Sequence, residues 1–84
     1  MSGWIDELAD TLRVDPLTTT EAGQLLRVAR DVAHRVERKD TPLAAFLLGM
    51  HVARLTTDGT ARGDALAEAI GITDALLPPA PDLP

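Results

Sequence analysis

Between residues 4 and 12 the apolar side chains Trp4, Ile5, Leu8, Ala9 and Leu12 recur at steps of three and four, the spacing that gathers them on one face of an α-helix. Ser2 is placed to cap this helix, Asp6 and Glu7 in its first turn and Arg13 at its end complement the helix dipole, and Asp15-Pro16 stops it. A second helix is predicted from Thr18 to about Val36 or Arg38. Thr18 and Glu21 have the spacing of a capping box, in which side chains satisfy unpaired backbone donors. Its apolar residues Ala22, Leu25, Leu26, Ala29, Val32, Ala33 and Val36 form a stripe, with Val28 at the stripe's edge.

Thr41 as cap and Pro42 in the first helical position predict a third helix that continues from Leu43 to Leu55. It is apolar nearly all round: Leu43, Leu47 and Met50 on one side, Leu48, Val52 and Leu55 on another, and Ala45, Gly49 and Ala53 on a third. Such a helix is normally buried, and the small third side invites close approach by another helix. Asp58-Gly59 makes a turn. A weaker fourth helix is expected from Ala61 to Leu77, with a break at Gly71 and Thr73 capping a final turn. Pro78, Pro79, Pro81 and Pro84 predict an extended, mobile tail over residues 78–84. The fold class is therefore all-α: one domain over residues 1–77, a small antiparallel bundle of four helices with the apolar third helix at its centre.

A chain of 84 residues buries only about two thirds of the surface its unfolded form exposes, so its stability margin should be thin. Trp4 and Phe46 are the only aromatics. With no cysteine and two histidines, a thiolate site or a zinc shell has too few ligands, and no cofactor is expected. The longest apolar run, Leu43 to Met50, is far short of the roughly 20 residues of a membrane span, and no basic leader precedes an apolar stretch, which fits a cytoplasmic protein. The net charge of −5 is polarised, because Arg27, Arg30, Arg35, Arg38 and Lys39 cluster in the middle of an otherwise acidic chain. Overall acidity and the lack of stacking aromatics argue against nucleic acid.

On the second helix Arg27, Asp31, His34 and Arg38 stack at steps of four, three and four, roughly opposite the apolar stripe. This line reads either as a solvated face held by weak pairs of Asp31 with Arg27 and with His34, or, with Arg30 and Arg35 beside it, as a surface for a carboxylate- or phosphate-bearing partner. Asp31 and His34 resemble half of an acid-base apparatus, but no nucleophile accompanies them and no enzymatic activity is expected. His51 and Arg54 mark a wet edge of the third helix or, with His34, line a pocket for a pterin or nucleotide phosphate. Phosphate-cradling, calcium-loop and His-Glu-x-x-His motifs are absent. If the other helices leave the third partly uncovered, homodimerisation or docking onto a larger protein would bury it. Periodicity does not choose between these.

The runs Arg30-Asp31-Val32-Ala33-His34, Val36-Glu37-Arg38 and Pro42-Leu43-Ala44-Ala45-Phe46-Leu47-Leu48-Gly49 resemble an actinobacterial domain family of unknown function. Its members open with a Trp-containing helix ending in Leu-Gly-Val-Asp. Leu12-Arg13-Val14-Asp15 looks similar, with Arg13 where glycine is usual, and the likeness extends to about Leu55. That family occurs free-standing or at the C-terminus of nucleotidyltransferases that look like molybdenum cofactor guanylyltransferases, often in the company of formate dehydrogenase maturation proteins. The resemblance implies a role near molybdenum cofactor assembly, with Arg30, Asp31, His34 and Arg38 as contact residues. The expected function is a non-catalytic accessory or docking module, contacting a protein partner such as that nucleotidyltransferase through Arg27, Arg30, Asp31, His34 and Arg38, and self-associating through the third helix. The alternatives are a small-molecule binder using His34, His51 and Arg54, or a bare dimerisation domain.

Overall fold

Local chemistry sets the ends of four helices in the computed structural model of the protein, which describes residues 3–80: α1 (Trp4–Leu12), α2 (Thr19–Arg35), α3 (Asp40–Thr57) and α4 (Arg62–Leu76). At the start of α2 the Thr18 hydroxyl accepts from the Glu21 amide at 3.1 Å while the Glu21 carboxylate accepts from the Thr18 amide at 2.9 Å, the reciprocal box predicted from the spacing. Asp58 and Gly59 turn the chain between α3 and α4, with Gly59 at φ 101°, a conformation costly for a residue with a Cβ. Arg13 closes α1 in the left-handed region, φ 59° and ψ 42°, and the Val14 amide reaches back to the Ala9 carbonyl at 3.0 Å. Glycine is the usual residue for such a closure, and a side chain there costs about 1 kcal/mol.

Several predicted ends move. Ser2 lies outside the described residues, and Gly3 stands at the N-cap of α1 without a side-chain bond. α3 begins at Asp40, not after Thr41; the Thr41 hydroxyl donates to the Ala29 carbonyl at 3.4 Å, tying α3 to α2 rather than capping it. Pro42 is then the third helical residue, still within the turn whose amides have no intrahelical acceptor, so it loses no bond. α4 runs unbroken through Gly71. Thr73, expected as a cap, lies within the helix and donates to the Ala69 carbonyl at 2.8 Å. Residues 78–80 have no regular structure; the rest of the expected tail, 81–84, lies outside the described residues.

The fold is all-α, as the periodicity predicted. α3 packs against both neighbours, most extensively α4, and α2 and α4 touch less. Contacts fix an up-down-up path: His51 meets Glu68 across α3 and α4, whereas Glu21 pairs with Arg62 and Arg27 with Asp74, so that α2 and α4 point the same way. The core is Val28, Val32, Leu48, Leu66, Ala69 and Ile70, with Leu25, Ala44, Val52 and Leu77 packed against it. α2 is rotated relative to the predicted stripe. Val28, read as its edge, is 2% exposed, whereas Leu26, read as its middle, is 69% exposed.

α1 packs against none of the other helices. The radius of gyration, 13.8 Å, accordingly exceeds the roughly 12 Å of a compact chain of this length. α3 is therefore left uncovered on its outer side, although it lies between α2 and α4. Leu48 is its only buried residue among those described. Nor does any helix close on the small side of α3: a Cβ added to Gly49 would meet nothing within 4 Å, so the expected close approach at Ala45, Gly49 and Ala53 is not made.

Candidate functional site

The predicted basic line on α2 divides into two parts. The Arg27 guanidinium donates to Asp31 at 3.0 Å and forks onto Asp74 of α4 at 3.1 and 3.2 Å. These two carboxylates, Asp74 foremost, raise the Arg27 pKa above its ordinary value. Arg27 and Asp31 thus help hold α2 to α4. Arg30 approaches Asp31 only at 3.8 Å, and His34 and Arg38 make no side-chain hydrogen bond or ion pair among the described residues. The pairing of Asp31 with His34 is not made.

His51 belongs to a different cluster. Its Nδ1 lies 2.8 Å from an Arg54 nitrogen and its Nε2 lies 2.9 Å from Glu68. Arginine has only donors, so Nδ1 accepts and the ring proton sits on Nε2, which donates to Glu68. His34 does not join them. Thr41 marks the level of Ala29, and His51 lies ten residues farther along α3, about 15 Å at the helical rise, while His34 lies on the other side of that level. His51, but neither His34 nor Arg54, lines an open groove of about 290 Å³ between α3 and α4. The rest of that groove is Ala44, Leu47, Leu48, Ala69, Ile72, Leu76 and Thr73, whose hydroxyl is already committed to Ala69.

The most heavily bonded side chain, Arg62, drew no attention in the sequence. It meets both carboxylate oxygens of Glu21 at 2.7 and 2.8 Å and donates to the carbonyls of Asp15 and Pro16 at 2.8 and 2.7 Å. Glu21 is only 6% exposed and also serves the capping box. The bond from Arg62 holds its carboxyl below the ordinary carboxylate range against the opposing effect of burial. One side chain thereby fastens the α1–α2 connection and the start of α2 to the start of α4. A local signal was present: Arg62 opens α4 and Asp74 lies near its end, each of the wrong sign for the helix dipole. Both charges are used in tertiary pairs with α2.

No such pairing accounts for the exposed apolar surface. Leu43, Phe46, Leu47 and Met50 on α3, with Ile72 and Leu76 on α4, are 55–85% exposed, and three of them line the groove. Trp4 is also exposed, so neither aromatic of the chain enters the core. Among the described residues no three His, Asp or Glu side chains gather as a metal site, and no helix is long and apolar enough to cross a membrane. No curated protein and no solved structure shows significant similarity to the chain. A family model described as a domain of unknown function, DUF6457, matches residues 1–81.

Proposed function

We propose, from the premise that the chain belongs to the DUF6457 family, that this domain is a non-catalytic docking module with two binding surfaces, the outer face of α3 with the adjoining end of α4, and the unengaged basic residues of α2 and the turn after it. The supporting observation is the exposed set Leu43, Phe46, Leu47, Met50, Ile72 and Leu76. A contiguous apolar patch containing an aromatic and a methionine is costly to leave in water and has the composition of interface cores. Arg30, His34 and Arg38 remain available to steer an anionic partner, whereas Arg27 and Asp31 are engaged within the fold.

The setting proposed is cytoplasmic, near molybdenum cofactor assembly, with a nucleotidyltransferase of that pathway as the protein partner met at Arg30 and His34 of α2 and Arg38 just after it. A pterin or nucleotide site draws less support, because the groove beside His51 is walled almost entirely by alkyl groups and His51 is occupied by Arg54 and Glu68.

Photo-crosslinking residues in place of Phe46 and, separately, of Arg38, used in the native cell, test this reading. A discrete protein adduct is expected, and its absence would overturn the docking function. An adduct from Arg38 to a molybdenum cofactor nucleotidyltransferase would support that partner; any other identity at Arg38 would sink that assignment alone.

A further inference from the structure

On the docking reading above, we infer that the occupant of the α3 face is a second copy of this chain, with the two α3 helices antiparallel about a two-fold axis at Leu47. The first observation is a heptad. Asp40, Leu47 and Arg54 fall seven residues apart, with Leu43 and Met50 between them at the alternating spacing of a coiled-coil seam. Positions seven apart drift by only about 20° around a helix, so the five side chains follow one line about 21 Å long. Leu43, Leu47 and Met50 on it are exposed, with Phe46 alongside.

The second observation is the charge at the two ends of that line. Asp40 stands at its start and Arg54 at its end, each seven residues from Leu47; neither is in an ion pair among the described residues, and Arg54 spends one nitrogen on neutral His51. An antiparallel partner centred on Leu47 places Arg54 of each copy against Asp40 of the other and sets each α3 start beside the other's end, which also aligns the helix dipoles favourably. A parallel pair would put acid against acid and base against base. The seam is thus complementary to itself in one orientation only, as an isologous interface requires.

The area agrees. Scaled by their exposure, the six apolar side chains present on the order of 800 Å² per copy, close to the roughly 800 Å² each partner contributes to an interface of standard size. Burial of Leu76 and Ile72 from the flanking α4 follows from the same approach, because they line the groove that Leu47 borders.

Sedimentation equilibrium from about 1 to about 100 μM tests the inference on the intact chain and on Asp40→Arg, Arg54→Asp and the double variant, each checked for native helicity by circular dichroism. The expected result is a dimer weakened about tenfold or more by either single change, through two like-charge contacts per dimer, and restored in the double variant. A strict monomer overturns the second copy as occupant, while the Phe46 crosslink still reports separately on docking to another protein. A dimer indifferent to both single changes, or not restored in the double variant, overturns the antiparallel register.

Discussion

α1 and α4 form opposite pairings of pattern and burial. α1 has the cleanest division into apolar and polar faces, with Trp4, Ile5, Leu8, Ala9 and Leu12 on one side, yet none of its residues is buried and no other helix packs on it. α4 has hardly any sidedness, with small residues and glycines dispersed around it, yet Ala65, Leu66, Ala69 and Ile70 are all buried. An amphipathic pattern states that a face can be buried; what buries it is a neighbour held in place. α4 has such neighbours because its two terminal charges are anchored on α2, Arg62 to Glu21 and Asp74 to Arg27. Among the described residues α1 is tied to the bundle through its connection, whose Asp15 and Pro16 carbonyls accept from Arg62.

This contrast can be broken by mutation. Leu66→Ala in α4 should cost about 3 kcal/mol in urea unfolding, the usual penalty for emptying a buried leucine site, whereas Leu12→Ala in α1 should stay within about 0.5 kcal/mol. Equal losses would mean that α1 unfolds together with the core. Arg62→Met comes next, at about 2 kcal/mol: Glu21 loses its counter-charge beneath the surface, but Arg62 keeps a third of its side chain in water, so the loss falls below that of a fully buried pair. The same variant sharpens the pH dependence. Arg62 holds the Glu21 pKa in the folded state below its ordinary value near 4.5, so the contribution is complete above that value and disappears as pH falls through the folded-state value. Denaturation curves of the native chain should weaken over that acid window more than those of Arg62→Met. The smallest effect concerns α1 alone: Arg13→Gly relieves the left-handed closure and should slow amide exchange at Leu8–Leu12 about threefold, with little change in global unfolding.

Much of the helical layout was legible because its signals act over three or four residues. Thr18 with Glu21, Asp15-Pro16 and Asp58-Gly59 each contain their own geometry. Where a tertiary contact competed for the same group, the local reading failed: the Thr41 hydroxyl went to Ala29 of α2 rather than to its own helix. Thr73 failed as a cap for a local reason, its hydroxyl turning back onto Ala69 within an uninterrupted α4. The candidate site was legible in part. The all-round apolar character of α3 left open whether the other helices would cover it, and the structure leaves its outer side exposed; the line on α2 looked uniform in the sequence. Only Asp74, forty-seven residues from Arg27, divides it into an anchored part and a free part.

What the sequence determined by itself is the number and type of elements, most of their ends, and the excess of apolar residues on α3, because helix propensity, capping and periodicity depend on neighbours within a turn. What only the tertiary structure decided is which face each helix buries. Val28 replaced Leu26 as the inward residue of α2, α1 was left outside the core, and Arg62, unremarked in the sequence, became the clasp between α2 and α4. Those outcomes depend on which distant segment comes alongside, and burial and ion pairing are properties of that encounter rather than of either segment alone.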